Sequence, residues 1–172
     1  MKNILLLLSS FLILGNTLNI HASENEDIYG EEVGRVTGLP LPRFVSLKGN
    51  KTYMRRGPGK SHAIMWEYKR RGLPIEVVDE SDHWRKIRDM DGSEGWIHQT
   101  VLSGRRMVVT LEGTHIVRSG DGYTFGPVAQ TSGGMVLRPE QCKRNWCKVE
   151  HKEFEGWLPK EILYGIYEEE VF

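Results

Sequence analysis

The chain has 172 residues, and its 23 basic and 23 acidic side chains cancel to a formal net charge of zero. That balance argues against a nucleic-acid binder, which needs a basic surface to displace counterions from the phosphates. About 150 residues beyond an N-terminal leader make one medium domain or two small ones.

Residues 1–22 have the pattern of a secretory signal peptide. Lys2 is a minimal positive region, residues 4–15 are an apolar run, and Ile20 and Ala22 fit the positions before a cleavage site. The run is short for a bilayer span, so cleavage after Ala22 is expected; an uncleaved anchor helix is the alternative. The chain is then exported, periplasmic or extracellular, with no membrane span after cleavage. Residues 23–40 are acidic and poor in apolar side chains, which predicts a flexible linker. Charge is uneven along the rest: residues 43–106 carry a net +6 and residues 107–172 a net −3. The basic middle suits either an anionic envelope polymer or the acidic half of its own chain.

From residue 44 onward, short alternating runs predict strands at 44–47, 52–55, 63–68, 73–80, 83–89 and 94–98. Asp91-Gly92 marks a hairpin. A second series follows at 107–111, 115–118, 126–131, 135–139, 146–150 and 155–159. No segment sustains a helical period, although residues 98–102 and 159–163 each have room for one helical turn. The two series are copies of one unit: "YMRRGPG" at 53–59 matches "IVRSGDG" at 116–122, "HWRKI" at 83–87 matches "NWCKV" at 145–149, and "EGWIHQTVL" at 94–102 matches "EGWLPKEIL" at 155–163. The offsets are 63, 62 and 61 residues. Three ordered blocks at near-constant offset imply a tandem repeat. Each copy, with its short strands and Gly-rich turns, is expected to form a small closed or partly closed barrel. The predicted fold is all-β, with barrels at 41–103 and 104–167 and a tail at 168–172. The short "LSGRR" connection implies that the barrels pack closely.

Within the first copy, "RRGPG" reads as a stiff corner, with Pro58 fixing its own φ and Gly57 and Gly59 permitting backbone angles closed to other residues. Arg55 is placed to brace that corner through backbone carbonyls, and Arg118 is its counterpart. Asp121 replaces the Pro in the second copy, so that corner is expected to be looser. Trp84 and Trp146 share one repeat position, and Trp96 and Trp157 another; recurring rings are expected to be core residues, the first pair partly exposed. Tyr53, Trp66 and Tyr68 have no counterparts and are therefore candidate contacts for a ligand, together with Arg55 and Arg56.

Cys142 and Cys147 align with Glu80 and Arg85, across a hairpin. In an oxidising compartment such a pair is expected to form a disulfide. Cys142, Cys147 and His151 supply three zinc-ligand types, but no fourth stands at a usual spacing, so no metal is expected. No nucleophile motif, metalloprotease motif or phosphate loop occurs, and neither an enzyme nor a cofactor is expected.

"YMRRGPG", "KRRGLP", "WRKIRD", "GSEGW" and "LSGRR" in the first copy, with "VRSG", "WCKVE" and "GWL" in the second, resemble the exported bacterial SH3-like domain proteins. The resemblance extends over roughly residues 39–167. It implies two non-catalytic small β-barrels of the cell envelope, some relatives of which bind peptidoglycan peptides. The expected function is recognition of cell-wall peptide or glycan by the first barrel. The alternative is an adaptor whose paired barrels bind another exported protein.

Overall fold

A computed structural model of the chain describes residues 32–172; the signal peptide and most of the acidic linker read from the sequence lie outside them. The first unit comprises β1 (Arg43–Leu47), β2 (Thr52–Arg55), β3 (Ile64–Tyr68), β4 (Pro74–Ser81), β5 (Trp84–Arg88), β6 (Glu94–His98), a 3-10 turn (Gln99–Val101) and β7 (Leu102–Ser103). The second comprises β8 (Val108–Thr110), β9 (Thr114–Arg118), β10 (Pro127–Ser132), β11 (Val136–Cys142), β12 (Trp146–His151), β13 (Phe154–Pro159), a 3-10 turn (Lys160–Ile162) and β14 (Leu163–Tyr164).

The strand orders are β3-β2-β6-β5-β4-β1-β7 and β10-β9-β13-β12-β11-β8-β14, the same path walked twice. The repeat extends to single residue pairs. Arg55 faces Trp96 where β2 meets β6, and Arg118 faces Trp157 where β9 meets β13. Both crossings need a glycine. A Cβ on Gly95 would lie 2.5 Å from the Met54 side chain, and one on Gly156 would lie 2.6 Å from Val117.

The expected closure into barrels is corrected. Each unit is a seven-stranded antiparallel sheet whose two edges, β3 and β7 or β10 and β14, do not pair. After the 3-10 turn the chain supplies only two strand residues, and both are taken up by β1 or β8. Nothing is left to ladder across to the far edge.

Inward alternation builds one core per unit. Leu47, Met54, Ile75, Val77, Ile87 and Ile97 fill the first; Val108, Val117, Leu137, Val149 and Leu158 fill the second around a Cys142–Cys147 disulfide. That disulfide was expected, and it occupies the position that Glu80 and Arg85 hold in the first unit. There both side chains are buried, with Arg85 Nε 3.5 Å from Glu80.

Residues 33–40 were taken from sequence as the end of a flexible linker, but they form a hook. Val33 bridges Pro40, and the Val36 and Thr37 amides and the Thr37 hydroxyl donate to the Glu80 carboxylate. Arg43 also donates to it, at 2.6 Å. The last residues are likewise anchored: Phe172 and Cys142 exchange both backbone hydrogen bonds, and Glu170 pairs with Arg106.

The units abut through Phe44 of β1. Its ring meets Tyr164 edge-on at 5.2 Å and Tyr167 at 4.7 Å. Tyr167 donates to Glu76 and Tyr164 to the Arg88 carbonyl. Burial first, then the Glu76 carboxylate, raises both phenols well above the usual tyrosine range.

Burial alone would push the Glu80 carboxyl up, but hydrogen bonds from Thr37, Arg43 and the Thr37 and Val36 amides outweigh it and hold the group at about 2. Its contribution to stability is complete above its unfolded pKa and is lost as pH falls through the folded one. The melting temperature of the full chain should therefore drop between about pH 4.5 and pH 2. Glu80→Gln should cost about 3 kcal/mol at pH 7 by leaving Arg43 and Arg85 uncompensated, and should flatten that drop. A Gln variant as stable as the parent would contradict this role. Replacing both cysteines by Ser should cost about 2 kcal/mol, the entropy of a short closed loop, read by denaturant titration.

Candidate binding groove of the first unit

The loop after β2 is built around a ring. Gly57 lies against His62, whose imidazole would be 2.7 Å from a Cβ at that position. Neither Gly57 nor Gly59 has positive φ, so the corner requires space at Gly57 and not the unusual backbone angles expected of it. Arg55 donates to the carbonyls of Lys60 and His62 at 3.0 and 2.7 Å, the brace anticipated from the sequence. In the second unit Gly120 lies against Phe125 in the same way, and Arg118 donates to the Phe125 carbonyl. The second corner, expected to be looser, repeats the same backbone hydrogen bonds: Gly59 to Gly57 becomes Gly122 to Gly120, and His62 to Gly59 becomes Phe125 to Gly122. Asp121, which replaces the Pro, is held by Lys143 at 2.7 Å.

Between this loop and the 3-10 turn lies a groove of about 300 Å³. Tyr53, Arg55 and Lys60 line one side, and Trp84, His98, Thr100 and Val101 the other. Register explains the second wall. Trp84 pairs with His98 across β5 and β6, so the indole and imidazole stand together, edge to face at 5.2 Å. His98 is then fixed by Thr100, whose hydroxyl lies 2.8 Å from its Nδ1. The Lys51 ammonium sits 5.3 Å from the centre of the Tyr53 ring, within cation–π range.

The residues singled out in the sequence do not converge on one spot. Tyr53 and Arg55 line the groove; Arg56 is exposed beyond it. Trp66 is 59% exposed but borders a separate hollow with Glu67, Lys69 and Leu73. Tyr68 is buried in the core, its hydroxyl donating to Asp89 at 2.8 Å. Burial, then that bond, raises its phenol far above the ordinary range. Of the pair expected to be partly exposed, Trp84 is and Trp146 is buried; of the pair expected in the core, Trp157 is buried and Trp96 only half-buried. The place of Trp84 opposite Tyr53 depends on how β2 and β6 cross. Lys60 belongs to the loop cations that made the first copy the candidate; His98 and Thr100 carried no sequence signal beyond lying near the repeated Trp96.

The equivalent hollow of the second unit is larger, about 620 Å³, and differs in chemistry. Tyr123 packs edge-on against Trp146 at 4.9 Å and donates to Glu161, leaving Trp146 only 8% exposed. Lys160 is committed to the carbonyls of Glu168 and Glu170. Arg144 and Lys160 stand on its walls with Glu161 and Glu168, so its lining charges balance.

Charge separates the units further. Residues 48–71 hold eight cations and one carboxylate, Glu67. Among the described residues none of these eight forms an ion pair. Among the described residues the acidic half of the chain therefore neutralises none of these eight; Arg106, the last cation of the basic middle, is the one it pairs, through Glu170. Among the described residues no cluster of His, Cys, Asp or Glu has the makings of a metal site, and no helix is long and apolar enough to cross a membrane.

The bacterial SH3 domain matches this chain twice, at residues 48–104 and 128–165. The chain belongs to the bacterial SH3 domain family. Its two matches fall on the two sheets, as the tandem repeat requires. This is a family of binding domains, generally non-catalytic, and the disulfide and the family both fit an exported protein. Among solved structures, an NlpC/P60 family protein from Bacillus cereus ATCC 10987 is similar, with 12% identity, a TM-score of 0.32, and coverage of 70% of this chain and 55% of that one. The chain thus spans little more than half the length of that protein. Among curated proteins, none matches.

Arg55→Ala should cost about 1 kcal/mol through the two abandoned carbonyls, and amide exchange should quicken across residues 56–63. Arg56→Ala, with an exposed side chain, should change stability by less than about 0.5 kcal/mol. Equal effects of the two changes would remove Arg55 as the brace of the groove.

Proposed function

We propose that the chain is a non-catalytic binding module of the cell envelope, and that its first unit takes a peptide or glycan strand of the cell wall in the Tyr53–Trp84 groove. The observation that carries this reading is the contrast between two equivalent places. In the first unit Tyr53, Trp84 and His98 stay partly exposed beside Lys51 and Lys60. In the second, Tyr123 covers the matching Trp146. Aromatic faces suit the apolar surface of sugar rings and peptide side chains. Neighbouring ammonium groups suit the carboxylates of wall peptides. Arg55 is already engaged with loop carbonyls, so its part is to hold the groove's edge, while Tyr68 supports β3 from within. The second unit is then a support joined to the first through Phe44, Tyr164 and Tyr167.

Sedimentation with purified peptidoglycan tests the reading. Tyr53→Ala with Trp84→Ala should weaken binding by about tenfold or more, as aromatic anchors do, and Lys60→Glu should weaken it without disturbing the aromatic wall. Tyr123→Ala should leave binding unchanged. Full binding by both first-unit variants, or a matching loss in the Tyr123 variant, would overturn the assignment.

A further inference from the structure

The edge strand β3 has no role in the groove, yet it is the most unusual surface of the first unit. Ile64, Met65 and Trp66 follow one another and are 49, 48 and 59% exposed. A strand should alternate inward and outward. Here the register slips between Met54 and Arg55, so that Ile64 and Trp66 pair with neighbouring residues and Met65 is the extra one. The three side chains splay outward together at the sheet's unpaired edge. The fold does not demand this: the matching residues of β10 are Pro127, Val128 and Ala129, of which Val128 alone is a large exposed apolar side chain.

Cations that form no ion pair among the described residues frame the apolar triplet and outnumber the adjoining Glu67. Arg56 follows from one end, its amide bonded to the Ala63 carbonyl directly before Ile64. Lys69 and Arg71 follow β3 at the other. All three are exposed, and among the described residues none forms an ion pair. Charge decides what can cover the patch. A second copy pairing edge to edge would set two basic edges against each other. An acidic protein strand would pair with the free edge and meet the cations, but its backbone pairing would leave the splayed Ile64, Met65 and Trp66 side chains half in water. A bilayer surface takes all of them: apolar side chains enter the boundary between headgroups and acyl chains, Trp favours that depth, and Lys and Arg stay at the phosphates.

We infer that the β3 edge docks the chain on an anionic lipid surface, with Ile64, Met65 and Trp66 entering the interface and Arg56, Lys69 and Arg71 meeting the headgroups. This surface is independent of the Tyr53–Trp84 groove: the hollow beside Trp66 and the groove share no residue.

The test is sedimentation of the full chain with phosphatidylcholine vesicles, with and without phosphatidylglycerol, at low and high salt. Residues 1–31 are common to all variants, so differences between variants carry the result. The parent should bind phosphatidylglycerol vesicles more tightly at low salt. Lys69→Glu with Arg71→Glu should weaken that binding about tenfold or more, Met65→Ser with Trp66→Ser should weaken it similarly, and Tyr53→Ala should not. Thermal melting checks that the variants fold. If the double Ser variant does not, Trp66→Phe supplies a second readout: brominated lipids should quench the parent's tryptophan fluorescence and spare this variant's. Equal binding to neutral vesicles, release by inorganic phosphate at unchanged ionic strength, or binding indifferent to both sets of changes would overturn the proposal. So would Trp66-dependent capture of a polyglutamate peptide in the absence of vesicle binding, which would make the partner an acidic protein.

Discussion

Glu80 and Arg85 face each other across β4 and β5 at the register position that Cys142 and Cys147 hold across β11 and β12. Both pairs are buried, and each receives an end of the described chain. The hook at 33–40 folds onto the Glu80 carboxylate, and Phe172 pairs with the Cys142 backbone. One unit is thus pinned by charge and the other by a covalent bond. A buried carboxylate is tolerated only when its oxygens are fully engaged, and Glu80 meets that condition with donors drawn from three separate segments. The hairpins these pins hold supply Trp84 and Trp146, the residues around which the two hollows are built.

Divergence between the copies is concentrated where the fold does not need agreement. The β2–β6 crossing, its glycine and the loop folded around a ring are retained in both units. What changes is the chemistry around them. Tyr123 covers Trp146, Lys160 is tied to backbone carbonyls, and charges of both signs line the second hollow. In the first unit the groove stays open, and among the described residues the cations of residues 48–71 form no ion pair. The Phe44, Tyr164 and Tyr167 cluster joins the two units, and Arg106 beside it pairs with Glu170.

Much of this architecture could be read from the residues. Alternation located the strands, because half-buried strands must alternate. The near-constant offsets revealed the repeat, and aligning Cys142 with Glu80 placed the disulfide. The two-residue strands β7 and β14 were invisible, since two residues carry no period, and with them went the information that the sheets stay open. The hook at 33–40 was missed because composition alone marks it as a spacer; its order comes from a carboxylate more than forty residues away. The aromatics unmatched between copies were a sound reason to look at the first unit, but one-dimensional order could not show which face each would take. Tyr53 turned to the groove, Tyr68 to the core, and Trp66 to an exposed edge through a register slip. Trp84 became a groove wall through pairing with His98, a relation that only the β5–β6 register supplies.

The central claim is that the first unit recognises the wall and the second supports it. Titrating the isotopically labelled chain with soluble muropeptides, while following its five indole N–H signals by nuclear magnetic resonance, addresses that claim most directly. The account predicts that the Trp84 signal moves in a saturable way while those of Trp146 and Trp157 stay in place. Movement of Trp146 with Trp84 unaffected, or no movement of any indole at saturating muropeptide, would contradict it.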